Sequence, residues 1–112
     1  MKNPTELITV VEAIEYQLPT YFVTEEGLQD GAGLTIKFCK GNKADASAFR
    51  QEGVLTESLI EAARKFILSV NKGDLFDKHN EMTIAHLDAA LASIKARADE
   101  RKARGVQGTY KP

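Results

Sequence analysis

The sequence predicts a small α+β fold: an N-terminal helix and an antiparallel β-hairpin packed on two C-terminal helices, the last one long, in an oligomeric assembly. Three observations support it. The apolar residues change period along the chain, from helical spacing before Pro19 to strict alternation over residues 34–38 and back to helical spacing after Thr56. Glycine and proline fall between these segments and not inside them. The 112 residues, 43% hydrophobic and 28% charged, have the composition of one ordinary globular domain.

Residues 5–17 read as the first helix. Pro4, Thr5 and Glu6 supply a cap and an early acid, Leu7, Val10, Val11 and Ile14 recur at helical spacing, and Pro19 ends the run. The β-branched series Ile8, Thr9, Val10 and Val11 also suits a strand. Residues 20–38 read as a hairpin. Tyr21, Phe22 and Val23 form one β-prone run, Gly27 to Gly33 carries turn chemistry, and Leu34, Ile36 and Phe38 share a face of the second strand. Residues 39–55 are a polar loop. Residues 56–72 form a helix capped by Thr56, with Leu59, Ala63, Phe66, Ile67 and Val70 on one face and Gly73 as its stop. Residues 80–104 form the longest helix, from Asn80 as a natural N-cap to Gly105.

Three stripes run along that last helix. Ile84, Leu87, Leu91, Ile94 and Ala98 make a narrow apolar seam. Ala85, Ala89, Ala92 and Ala96 form a second line, which suits either a close helix–helix contact between subunits or plain helix propensity. Arg97, Arg101 and Arg104 form the third. Guanidinium groups match phosphate oxygens in a bidentate way. Cations in the last turns of a helix also favour its negative end without any ligand. The tail that follows, from Gly105 through Gln107, Gly108, Thr109 and Tyr110, is either a frayed end or a flap, with backbone amides for phosphate and Tyr110 for a base.

Charge and composition exclude several classes. Net charge is −1, with six acids against Lys2 in residues 1–30 and seven Lys/Arg against four acids in residues 78–112. A local basic end fits a compact anion better than a nucleic-acid track. No window is apolar enough for a membrane span, and no signal peptide is expected from the first residues. A single cysteine, Cys39, forbids an internal disulfide and suits a reducing compartment. His79 and His86 stand seven apart, the wrong spacing for a helical metal pair, and no nucleophile–base set is evident, so neither catalysis nor a cofactor is expected. The glycines at 27, 31 and 33 lack the strand–helix context of a dinucleotide loop and read as turns. A nucleic-acid- or protein-binding accessory module and a purely structural oligomer stay open as alternatives.

Asn80 and Arg97 are 17 positions apart on one predicted helix, about 25 Å at 1.5 Å per residue. One small ligand touches both only if a second chain supplies one of them.

The strand over residues 34–38, the helix start Thr56-Glu57-Ser58-Leu59-Ile60, the helix opening at Asn80 and the ending RKARGVQGTYKP together resemble the Thoeris anti-defence proteins of the first type. The resemblance spans residues 34–112 and leaves 1–33 as an added N-terminal helix and first strand of the same domain. It implies a phage protein of the host cytoplasm that sequesters cyclic ADP-ribose isomers, and in some members cyclic oligonucleotides, without cleaving them. It also implies assembly of dimers into hexamers with pockets between subunits. The family's ligand-binding asparagine and two arginines match Asn80, Arg97 and Arg101 with the same separations. Its pocket aromatic falls on Val70, which cannot stack on a purine, with Phe66 and Phe76 as the nearby substitutes. Gln107 and Tyr110 stand where the family has glutamate and histidine, and Arg50 is the one basic residue of the 39–55 loop placed for a second contact. Arg104 and Thr109 complete the expected ligand-binding set.

Overall fold

The computed structural model describes residues 1–12, 14–40 and 51–105. Over them the chain forms two compact units, one made of residues up to 40 together with 51–54, the other running from Leu55 onward. The elements are five antiparallel strands in two sheets and two helices.

The first unit is all β, which corrects the helix expected over residues 5–17. Strand β1 (Ile8–Val11) turns back into β2 (Glu15–Leu18). The β-branched run that makes a poor helix interior makes a good strand, and β2 gains partners on both edges. Strand β5 (Leu34–Lys37) pairs antiparallel with β2, giving the sheet order β1-β2-β5. Between β2 and β5, strands β3 (Tyr21–Thr24) and β4 (Gly27–Asp30) form a separate two-stranded sheet. The expected hairpin of residues 20–38 is therefore two pairings. The turn is Glu25-Glu26, and residues 34–37 seek β2 instead of β3. Gly27 sits at φ 110, a conformation that favours glycine just after so tight a reversal.

Register explains the two faces of the larger sheet. Tyr16 lies opposite Ile36 and Leu18 opposite Leu34 on one side, with Glu15 opposite Lys37 and Gln17 opposite Thr35 on the other. The Tyr16 and Phe38 rings meet edge to face at 6.1 Å. Phe38 donates its N–H to the carbonyl of buried Ile14. Leu34, on the same face as Ile36 and Phe38, is exposed while those two are half-buried. Residues 51–54 close the unit: Val54 bridges Phe38 in parallel, and Gln51 exchanges two backbone bonds with Lys40.

The second unit is a helical hairpin of α1 (Thr56–Val70) and α2 (Lys78–Ala103). Its caps differ from expectation. Thr56 is the first helical residue and Leu55, with no side-chain bond, is the N-cap. Helix α1 ends at Asn71 before Gly73, which adopts φ 53 in a short 3₁₀ turn, Gly73–Leu75. Asp77, not Asn80, caps α2: its carboxylate accepts from the His79 N–H at 2.6 Å. Asp is as good a cap as Asn, and placing it there lets the helix begin at Lys78. Gly105, at φ 73, ends α2 as expected.

Helix α2 buries Ile84 and half-buries Leu87, Leu91 and Ile94, the expected seam, while Ala98 and the four-alanine stripe are exposed. On α1 the half-buried residues are Leu59, Ile60, Glu61, Arg64 and Ile67, followed by buried Asn71; Leu59 and Ile67 lie on the expected face, whereas Ala63, Phe66 and Val70 are exposed. Two polar links set the antiparallel register: Arg64 Nε to Asp88 Oδ1 at 2.6 Å and Asn71 Nδ2 to Glu81 Oε1 at 2.8 Å. Among the described residues no helix is long and apolar enough to cross a membrane.

Candidate functional site

The expected site residues fall at the two ends of the helical hairpin. Val70 closes α1, and Asn80 lies in the first turn of α2, so the connection between the helices brings them to one end. Arg97, Arg101 and Arg104 lie at the other end, in and just after the last turns of α2. Both sets belong to one unbroken 26-residue helix, so the spacing of about 25 Å between Asn80 and Arg97 is that of a continuous helix. Arg50, Thr109 and Tyr110 lie outside the described residues.

At the Asn80 end the organising side chain is Asn71, which is only 9% exposed. Its backbone N–H donates to Ile67 as the C-cap of α1. Its side-chain oxygen accepts from the Asp77 N–H at 2.8 Å and from the Asn80 amide at 3.2 Å, while its amine donates to Glu81. One asparagine thus joins the end of α1, the cap of α2 and the candidate ligand residue Asn80. Around this polar knot the surface is apolar and open. Phe76 is 58% exposed immediately before the cap Asp77, and Leu75, Met82 and Val70 are exposed as well. Phe66, one turn back from Val70 on α1, is 67% exposed. Aromatic surface is therefore present at this end even though Val70 itself cannot stack.

The arginine stripe is not uniform. Arg97 is exposed, and among the described residues no acid pairs with it. Its neighbours' carboxylates are used elsewhere: Asp99 takes Lys95 at 2.8 Å, and Glu100 takes Arg104 at 3.3 Å. Arg101 is only 6% exposed and already engaged within the fold. The Arg101 guanidinium is thus covered, whereas Arg97 is exposed. The Lys95 ammonium, beside Asp99, is held above the usual lysine range by that hydrogen bond and charge.

Sequence reasoning missed Asn71, because an asparagine between a helix and a glycine reads as turn chemistry. The signal available was its place one turn beyond Ile67 on the covered face of α1, where an apolar residue is the default. Among the described residues no group of three or more His, Cys, Asp or Glu side chains is arranged to hold a metal ion. No family model matches the chain and no curated protein matches it, so the resemblance stands on its residues alone.

Proposed function

We propose that the protein binds and sequesters a small phosphorylated ligand, a cyclic ADP-ribose isomer or another cyclic nucleotide signal, in a pocket that a second copy of the chain completes, and leaves every bond of the ligand intact. The observation that carries this reading is the placement of exposed Arg97, paired with no acid among the described residues, and of Asn80 with its aromatic surroundings at opposite ends of one continuous helix. Two such helices related by a two-fold axis and running antiparallel put the Arg97 end of each beside the Asn80 end of the other, making two equal pockets. In each pocket Arg97 meets phosphate oxygens with charge-assisted bonds of about 1.5–3 kcal/mol. Phe66 or Phe76 covers a base in the role that Val70 cannot fill, and Asn80 bonds the sugar or base. Arg101, covered and engaged, belongs to the same end as Arg97. The phage setting, the host cytoplasm and growth of dimers into hexamers are part of the same reading and come with the family resemblance.

A sequestering protein needs micromolar to nanomolar affinity, about 8–12 kcal/mol. Calorimetric titration with cyclic ADP-ribose isomers, cyclic dinucleotides and cyclic trinucleotides tests it, followed by heat denaturation and chromatography of the released ligand. One member of the panel is expected to bind, raise the melting temperature and return unchanged. Arg97→Ala is expected to abolish binding with the melting temperature nearly unmoved. Arg101→Ala is expected to weaken binding and to lower the melting temperature as well, because a buried, engaged side chain is removed. Flat titrations across the panel would sink the reading and leave the structural oligomer as the better account. A cleaved product would make the protein an enzyme.

A further inference from the structure

We propose that Asn71 is a positioning residue: it fixes the side-chain amide of Asn80 so that the Asn80 carbonyl oxygen, and not its amine, faces an incoming ligand. The proposal rests on the sequestering site described above and adds what that site asks of the ligand, a hydrogen-bond donor at this position.

The orientation follows from which groups can only donate and which can only accept. The Asp77 backbone N–H can only donate, so the Asn71 atom 2.8 Å from it is the carbonyl oxygen. The ionised Glu81 carboxylate can only accept, so the Asn71 atom 2.8 Å from it is the amine. The two constraints agree, and they settle an assignment that an isolated asparagine leaves ambiguous. The same Asn71 oxygen stands 3.2 Å from the Asn80 side chain, and an oxygen has only acceptor capacity to offer. The Asn80 group turned toward it is therefore the amine. Rotating Asn80 by half a turn would set oxygen against oxygen and break that bond. Among the described residues no buried side-chain nitrogen or oxygen lacks a hydrogen-bond partner, and none of them donates to the Asn80 carbonyl oxygen. That oxygen, on a half-buried residue, therefore keeps access to solvent.

A fixed acceptor selects. It takes a hydroxyl or an exocyclic amine and turns away a carbonyl or a phosphate oxygen, which divides the ligand with its phosphates at the arginine end and its sugar or base at Asn80. The cost of mismatching such a group exceeds the gain of matching it, because an acceptor facing an acceptor loses its water without replacement.

The test uses the full chain and three probes: cyclic ADP-ribose, its hypoxanthine analogue, in which the exocyclic amine is replaced by a carbonyl, and its deoxyribose analogue. On the wild-type protein one analogue is expected to bind about tenfold or more weakly than the parent, and which one distinguishes amine from hydroxyl. In Asn71→Ala and in Asn80→Ala that discrimination is expected to vanish, and the double variant should lose no more than either single one. Asn71→Asp combined with Glu81→Gln keeps an acceptor facing Asp77 and Asn80 and restores the link to position 81 with donor and acceptor exchanged. It is expected to discriminate as wild type does, which a role in stability alone does not require. Nitrogen-15 NMR of the ligand-free protein reads the same point directly: the Asn80 amide protons should show a hydrogen-bonded signature that Asn71→Ala removes. Binding with unaltered discrimination in Asn71→Ala, or its loss in a folded Asn71→Asp, Glu81→Gln pair, overturns the positioning role while leaving sequestration intact. A wild-type protein that binds none of the probes or of the wider panel overturns both.

Discussion

The Tyr21 hydroxyl donates to the Lys2 carbonyl oxygen while its strand position lies directly opposite Asp30, whose carboxylate accepts from the Lys2 N–H at 3.0 Å. Two side chains thereby pin Lys2 to the β3–β4 hairpin. Desolvation, and then the Asp30 charge, hold the Tyr21 phenol above the ordinary tyrosine value. A raised pKa in the fold means that the unfolded chain loses its proton first. This contribution to stability is therefore complete below about pH 10 and is lost as pH rises through the folded value. Absorbance titration at alkaline pH should show a tyrosine step above the ordinary tyrosine value, and Tyr21→Phe should remove that late step. Persistence of the late step in the variant would assign it to another tyrosine. At the same scale, Arg101 and Asn71 differ from what their types suggest. Both are polar and both are covered, because each is engaged inside the fold. Neither fact is legible in the sequence, where a charged or amide side chain carries no mark of its partners.

Elements depend on their closures. The strand-like segment 51–54 lies so tightly on the end of β5 that a Cβ on Gly53 would come within 2.5 Å of the Lys37 carbonyl oxygen and 2.7 Å of the Cys39 nitrogen. These are backbone atoms in a paired segment and cannot swing aside. Gly53→Ala is expected to cost about 1–3 kcal/mol, as overpacking does, and to loosen the Phe38–Val54 bridge. Denaturant unfolding gives the stability change, and amide exchange at Cys39 and Val54 locates it. Wild-type stability in this variant would show that the segment docks differently. Gly105 is a milder case, since a Cβ there meets nothing within 4 Å and only its left-handed φ is at stake. Gly105→Ala is expected to cost about 1 kcal/mol by fraying the end of α2, which circular dichroism melting would detect. The glycine stop of α2 was readable in advance because a helix end is a local event. The cap of α2 was misplaced by three residues because Asp77 and Asn80 are equally good caps by type. What separates them is the backbone: Asp77 is extended and its carboxylate accepts from the His79 N–H, whereas Asn80 already lies inside the helix.

For the whole molecule, the balance of apolar burial bears on assembly. Only Ile14 and Ile84 are buried apolar residues among those described, one in each unit, whereas a chain of this length ordinarily buries about two-thirds of the surface it exposes when unfolded. Phe66, Leu75, Phe76 and Met82 are exposed on the helical unit, and Phe22, Val23 and Leu28 on the β3–β4 sheet. Under the proposed function, part of this surface is covered by further copies of the chain. The melting temperature should then rise with protein concentration, and sedimentation should give a multiple of 12.3 kDa. Phe66→Glu should lower both the assembly size and the melting temperature. A monomer whose melting is independent of concentration would remove the shared pocket and the proposed function with it.

By itself the sequence determined the two C-terminal helices, the apolar seam of α2, its glycine stop and the distance between Asn80 and Arg97. All of these follow from hydrogen bonds and periodicities that close within a few residues of each other. Tertiary structure alone decided the rest. Residues 8–11 and 15–18 are strands and not a helix because the partner β5 lies well downstream, and no local pattern reports whether a distant strand will pair. Helix α1 turns a polar stripe, Arg64 and Asn71, toward α2 because Asp88 and Glu81 stand ready to receive it. The same nonlocal pairing makes Asn71 the residue that orients Asn80, since burial costs a polar group little only where a partner from another element is already in place.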